Sequence, residues 1–317
     1  MHPFDLHGLK TYDLQSRPSK VFIDDLGRPP APETSIGDWI DTLPKQLAAN
    51  ELRRLRDHLC RCHDESHPVG VAIGGHVIKT GCAPYLIDWI NRGIVKSISM
   101  NGSAAIHDFE LALAGKTSED VAAQLPSGAF GMARETADAF AVASRHGAEN
   151  ERGLGAALGQ YIEASDCRYA SDSLVHAAYK AEIPCTVHVA LGTDIVHMHP
   201  HVSGAALGEA SLIDFRILCN VIFGMQEGLW MNVGSAVVMP EVFLKALAVA
   251  RNFGADLSGL VTANLDKEVK YRTKMNVLSR PSAQGIEIIG HHELLIPLIH
   301  AAVAAKLAGR TPIALAA

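Results

Sequence analysis

Apolar and polar positions fall in two kinds of block along this chain. Short, nearly continuous apolar runs of strand length occur at residues 69–73, 94–100, 185–191, 229–233, 257–262 and 286–289. Between them lie stretches in which apolar residues return every three or four positions, the period of a helix with one buried stripe. These cover about residues 43–62, where Leu47, Leu52, Leu55 and Leu59 are in phase, then 83–91, 109–114, 118–144 around a loop at Pro126 to Gly128, 174–181, 212–223, 241–252 and 294–307. Pro84 in the first turn and Gly93 just past the end frame the helix at 83–91. Strands alternating with helices across short polar connections predict βαβ units, and therefore a parallel sheet with helices on both faces. The expected fold class is three-layer, doubly wound α/β with a mainly parallel sheet.

The first fifty residues do not follow this grammar. Pro18, Pro29, Pro30 and Pro32 interrupt them, and Phe22-Ile23 is the one short apolar pair before Trp39. They are expected to form an N-terminal arm, residues 1–50, that lies on a neighbouring subunit, with the α/β domain spanning residues 51–317.

Composition narrows the partners. With 48% hydrophobic and 20% charged residues over 317 positions, the chain has the material for a large core. A formal charge of −6 gives no basic face for phosphate backbones, so no nucleic-acid partner is expected. No apolar run reaches the roughly 20 residues that span a bilayer, so no membrane partner is expected either. Six scattered cysteines suit reduced thiols in a cytoplasmic protein better than a disulfide framework. Sixteen histidines are many for this length, and most lie near glycines.

Ligands of open parallel sheets bind where strands end at their carboxyl edge. The residues expected just past each strand are Gly74-Gly75-His76, Asn101-Gly102-Ser103 leading to His107-Asp108, Asp194 through His201, Gly234-Ser235-Ala236, Thr262-Ala263-Asn264 and Gly290-His291-His292. Glycine there lets backbone approach a ligand closely, although glycines and small polar residues also simply make tight turns. His197, His199 and His201 alternate in an extended segment, as ligands of a divalent metal from one strand end must, with Asp194 and Glu209 near enough in sequence to complete the set. The competing reading makes them polar loop residues. Gly153-Leu154-Gly155 with Gly159 mimics a dinucleotide fingerprint but follows no strand, so it is set aside. Cys60, Cys62, His63 and His67 lack the paired knuckles of a structural zinc site.

From about Val69 to the last helix, the order of these turns resembles the deoxyhypusine synthase family. Gly74 through Gly81 is similar to its first nucleotide-binding loop, Asn101 through Asp108 to its second, Leu207-Gly208-Glu209 to a motif whose acid faces a polyamine, Gly234-Ser235-Ala236 to a triple-glycine turn, and Thr262-Ala263 to a pair beside the cofactor. The resemblance implies NAD as cofactor, a polyamine or other small amine as substrate, and a homotetramer with sites between subunits. It assigns the dinucleotide to Gly74, Gly75, His76, Asn101, Gly102, Gly234, Ser235, Thr262, Asn264 and His291. Contacts to ribose or amine and proton transfer would fall to His107, Asp108 and Glu209. One departure bears on the reaction: where the family carries its catalytic lysine, this chain has Met275-Asn276-Val277-Leu278, with Lys274 displaced. Without that amine no imine with an aminobutyl group forms there. The expectation is therefore an NAD-dependent enzyme of a small amine or related metabolite that is not a true deoxyhypusine synthase. The alternatives are a metal-dependent enzyme using the three alternate histidines and a non-catalytic ligand-binding relative.

Overall fold

A computed structural model describes residues 2–282 and 284–309; the end of the alanine-rich tail lies outside the described residues. The helices and strands, in chain order, are α1 (Ile36–Thr42), α2 (Leu47–Asp64), β1 (Val69–Ile73), α3 (Gly75–Lys79), α4 (Ala83–Asn91), β2 (Ser97–Asn101), α5 (Gly102–Ala114), α6 (Val121–Gln124), α7 (Arg134–Glu149), α8 (Leu154–Ala164), α9 (Leu174–Lys180), β3 (Cys185–His188), α10 (Gly204–Phe223), β4 (Leu229–Val233), α11 (Val238–Asn252), β5 (Val261–Asp266), α12 (Tyr271–Thr273), β6 (Gly285–Ile289) and α13 (His292–Ala308). A π-helical turn, Lys274–Ser279, continues α12.

The six strands form one sheet in the order β3-β2-β1-β4-β5-β6, and every pairing is parallel. The chain leaves β1 toward β2 and β3, then returns to add β4, β5 and β6 on the other side. The strand order thus reverses between β1 and β4, the point at whose carboxyl ends open parallel sheets bind their ligands.

Register makes the two faces of the sheet unlike. Val71, Ile98, Val187, Met231, Ala263 and Ile286 belong to one face, a uniformly apolar one that joins α2, α4, α5, α8, α9 and α13 in the larger core. On the opposite face a single row crosses all six strands: Thr186, Ser99, Ala72, Asn232, Asn264 and Glu287. That face is small or polar apart from Ile289 at its edge and Trp230, which stacks on Phe243 of α11 at 4.9 Å between ring centroids. Gly70 is glycine because a Cβ there would lie 2.7 Å from the Trp230 ring. A second core under this face takes in Trp230, Phe243, Leu247, Leu218 and Val277 from α10, α11 and the π-helical turn.

Several expected bounds move, among them the strands at 94–100 and 185–191, which run 97–101 and 185–188; three changes bear on the site. The strand expected at 257–262 lies at 261–266, because Thr262, Asn264 and Asp266 alternate on the polar face and imitate a turn. Asn101-Gly102-Ser103 ends β2 as expected, but the helix expected from residue 109 starts already at Gly102. Asn101 caps α5, its Oδ1 accepting the Ala104 N–H at 2.9 Å, so the helix begins at once. The boundary at residue 50 falls inside α2, and α1 packs against α13 with Ile40 fully buried. The exposed arm therefore ends before Ser35, which caps α1.

Candidate functional site

At the point where the strand order reverses, the loops after β1 and β4 touch. Gly74 donates its N–H to Val233 O and Gly234 donates to Leu265 O, so both backbones continue the sheet pattern. A Cβ on Gly74 would lie 2.2 Å from Gly234 O, and one on Gly75 would lie 2.5 Å from Ser103 Oγ. Gly234 has a left-handed φ of 64°, and a Cβ there would meet the His292 ring at 2.8 Å. Loop-on-loop contact thus accounts for these glycines. They mark a tight junction, and any ligand must be read from the polar atoms beside it.

Those atoms are present. His76 and His292, from α3 and the start of α13, meet edge to face at 5.2 Å between ring centroids. Neither Nδ1 has a hydrogen-bond partner, although both atoms are buried. His292 holds Leu265 O through Nε2 at 3.3 Å. Burial first, then the neighbouring His292, Lys79 and Lys267 charges, keep His76 below its ordinary value, so it is neutral at pH 7. Asp266 ends β5. Its Oδ1 accepts the Lys267 N–H at 2.7 Å, and its Oδ2 is buried without a partner.

A second group gathers one strand away, at the start of α5. Ser235 stays beside the first group: it is buried, and its Oγ accepts the Met239 N–H at 3.2 Å at the start of α11. In the second group Gly102 packs against the Asp194 carboxylate, where a Cβ would be 2.0 Å from Oδ2. Asp194 Oδ2 is buried and unpartnered, and burial pushes this carboxyl up to about 6. His197 Nδ1 accepts N–H groups from Gly192 and Asp194 at 3.0 and 3.3 Å, which leaves the ring proton on Nε2. That Nε2 is 3.9 Å from Asp194 Oδ2 and also lacks a partner. An imidazole N–H beside a carboxyl that titrates near neutrality is an arrangement able to pass a proton. His107 joins from α5: its ring edge packs on Gly75, and its Nδ1 meets Thr117 Oγ1 at 2.7 Å, which in turn donates to Glu110 at 2.5 Å.

Other expected site residues are elsewhere or otherwise occupied. Asp108 is fully buried and accepts hydrogen bonds from Ser173 Oγ (2.5 Å), Leu174 N (2.8 Å) and Val175 N (3.1 Å). It ties the start of α9 to α5 and is buried among these donors, out of reach of a substrate. Glu209 is exposed on α10, 3.7 Å from Arg216. His291 is exposed at the N-cap of α13, 3.6 Å from Glu293. Thr262 and Asn264 lie inside β5, fully buried on the polar sheet face rather than in a turn; Asn264 Oδ1 accepts from Asn232 Nδ2 at 2.8 Å.

The metal reading fails on geometry. His199 turns its Nε2 to Gly131 O at 2.9 Å, His201 pairs with Asp138 at 2.9 Å, and His197 is fixed by the two backbone N–H groups. Only His197 lies in the 3₁₀ turn Ile195–Met198; His199 and His201 follow it in bends and turns rather than in one extended strand end, so alternate residues do not share a side. Among the described residues no three histidine, cysteine or carboxylate side chains converge on a common point suited to a metal.

Two cavities stand out. One of about 550 Å³ is at the amino end of β3, lined by Arg152, Gly155, Tyr179, Lys180, Glu182 and Cys185. It lies at the opposite end of the sheet from the polar groups above. There Asp214 of α10 accepts the Gly155 and Val187 N–H groups at 2.9 and 2.8 Å, fastening α8 and β3 together. The second, of about 330 Å³, opens at the carboxyl end of β3 between α10 and α11. Sequence reading missed His188 and Asp266, and it gave the cofactor contact to His291 where His292 is the buried one. A polar residue closing an apolar strand would have flagged the first two; His292 needed its contact with His76.

No family model matches the sequence, and no curated protein matches it. Solved structures do share its architecture. A candidate LOR/SDH protein from Methanococcus maripaludis S2 superposes with a TM-score of 0.54 at 14% identity, over 87% of this chain and 74% of that one. AgrE in a ternary complex with ornithine and NAD+ gives 0.55 at 12% identity, over 84% of this chain but 35% of AgrE. A candidate deoxyhypusine synthase from Entamoeba histolytica gives 0.50 at 10% identity, over 86% and 94%. The chain thus has a Rossmann-like, deoxyhypusine synthase-like fold. At these identities the likeness is one of fold.

Proposed function

We propose that this protein is an NAD-dependent enzyme whose site lies at the carboxyl edge of the sheet between β1 and β4, acting on a small amine or related metabolite. The observation that carries this reading is the set of buried, unpartnered polar atoms on that edge: His76 Nδ1, His292 Nδ1, Asp266 Oδ2, Asp194 Oδ2 and His197 Nε2. Buried polar groups left without partners cost free energy, and a ligand rich in hydroxyl and amide groups relieves that cost. Support also comes from AgrE, a protein of like fold that was crystallised with ornithine and NAD+.

In this reading Gly74, Gly75, Asn101, Gly102, Gly234 and Ser235 form the walls of the dinucleotide crevice, and His76, His292 and Asp266 offer it hydrogen-bonding atoms. NAD, when bound, supplies a hydride acceptor for the carbon that bears the amine. Proton handling falls to Asp194 with His197, and His107 is held by Thr117 at the rim. The exposed apolar residues of the arm, among them Phe4, Leu6, Leu9 and Phe22, support its packing on a second copy in a homotetramer. A monomer in light scattering at micromolar concentration counts against that assembly. A cytoplasmic setting is the one that six scattered, irregularly spaced cysteines suit.

The test is a thermal-shift titration with NAD and with NADP. Binding to the native state must raise the midpoint, so no shift at millimolar NAD rejects the cofactor assignment. A His292→Leu variant that unfolds at the native midpoint but no longer responds to NAD supports the crevice.

A further inference from the structure

We infer that Glu110 is a positioning residue for His107: acting through the Thr117 hydroxyl, it fixes the ring proton on Nδ1 and leaves Nε2 as a base for an ammonium substrate. This role rests on the NAD reading above and deepens it. The local fold builds the relay. His107 and Glu110 are three residues apart on α5 and share a face. Gly115 ends that helix with a left-handed φ of 66°, against the Tyr169 ring, where a Cβ would lie 2.7 Å away. The chain turns there, and Thr117 comes back to reach both side chains. Thr136 of α7 closes the group from another side, its Oγ1 donating to Glu110 Oε1 at 3.1 Å.

Counting protons fixes the direction of each bond. Burial opposes charge on Glu110, but His107 and the two threonine hydroxyls outweigh it and hold the carboxyl below its ordinary value. Glu110 is therefore ionised at pH 7 and can only accept. Thr117 Oγ1 gives it its single proton, Oε2 being 2.5 Å away, and so can only accept from His107 Nδ1 at 2.7 Å. A neutral ring with its proton on Nδ1 carries its lone pair on Nε2. Among the described residues no group bonds to that nitrogen, and the side chain is 15% exposed. Cδ2, the ring atom next to Nε2, is the one that a Cβ on Gly75 would approach, at 3.2 Å. The lone pair is thus on the side of the ring that faces the β1 loop.

Tying α5 to α7 needs no charge, since an uncharged amide can take the same Thr136 bond. Among the described residues no lysine or arginine pairs with Glu110; His107 Nδ1, 3.8 Å from Oε2, is its ionisable neighbour. A carboxylate behind an imidazole holds the tautomer and stabilises the imidazolium that forms when the ring takes a proton. The ammonium group of the substrate gives that proton: its N–H bond breaks, the electron pair stays on the nitrogen, and the proton passes to Nε2. Glu110 stays ionised throughout.

Nitrogen-15 NMR of the histidine rings reads the tautomer directly, on the full chain without NAD or substrate. The native protein is expected to show His107 protonated on Nδ1, and Thr117→Ser to keep that form. Thr117→Val, which deletes the hydroxyl at a partly buried position, is expected to move the proton to Nε2. Glu110→Gln is expected to do the same, because its amide donates to Thr117 and reverses the relay. Should the glutamine variant not fold, the serine and valine pair decides. A native ring protonated on Nε2, or a tautomer that survives Thr117→Val, would overturn the relay. NAD at a concentration that raises the melting midpoint is expected to shift the His107 Nε2 resonance as well. A raised midpoint without that shift removes His107 from the site and overturns its role as base. An unmoved midpoint rejects the cofactor reading instead, and the tautomer still decides whether Glu110 positions the ring.

Discussion

Gly74 and Gly234 meet backbone to backbone, so close that a Cβ on the first would sit 2.2 Å from the carbonyl oxygen of the second. The two halves of the sheet are joined where their order reverses, and neither loop has room to yield. Gly74→Ala is accordingly expected to cost about 3 kcal/mol by urea denaturation, the upper range for forced overpacking. Gly208→Ala, in a helix and facing open space, should instead stabilise by about 0.5–1 kcal/mol. Similar losses at both positions would contradict this account of the junction.

Asp108 serves the fold. Its alanine variant leaves the Ser173 hydroxyl and the Leu174 and Val175 N–H groups unpaired in the interior. A loss of about 3 kcal/mol or more is expected, with NAD affinity unchanged in the fraction that remains folded. An Asp108→Asn protein of native stability but without NAD response would return this residue to the site.

Asp194 makes stability depend on pH with a definite sign. Its folded pKa of about 6 exceeds the ordinary value of 3.8, so between these values the folded state holds more protons than the unfolded one. Its contribution is complete below about pH 4 and declines as pH rises through 6. Asp194→Asn removes that decline: its stability relative to the native protein should grow from pH 4 to 6 and level off above. A constant difference across this window would show that the carboxyl titrates normally.

The divergent histidines predict that metal is irrelevant to folding. Treatment with a chelator should leave the melting midpoint unchanged, and elemental analysis of purified protein should find no stoichiometric zinc, manganese or iron. One equivalent of metal, lost in a variant with His197, His199 and His201 all replaced by alanine, would reverse the geometric argument.

Borohydride trapping with labelled spermidine and NAD is expected to give no covalent adduct. Asn276 and Val277 are buried in the π-helical turn, where Asn276 Nδ2 donates to Glu241 at 3.0 Å, and Lys274 lies on its exposed side. An adduct on Lys274 would mean that a neighbouring amine has replaced the family lysine.

The sequence by itself determined the alternation of strands and helices and the limits of β1, α4 and β4. There an unbroken apolar run or a complete helical stripe ends at glycine, and no distant partner alters the local preference. It also put the candidate site on the carboxyl edge, since in a parallel sheet every strand ends on the same side. Tertiary structure decided the rest. β5 carries Thr262, Asn264 and Asp266 on a polar face that α10, α11 and the π-helical turn cover, and local pattern reads buried polar residues as a turn. Asp108 became a cap and His292 a partner of His76 through contacts with segments far away in the chain. The alternate histidines separated because His197 sits in a 3₁₀ turn and the chain bends after it, before His199 and His201. Which polar atoms are satisfied, and which wait for a ligand, is fixed only when remote segments are packed together, because hydrogen bonding and desolvation depend on neighbours in space.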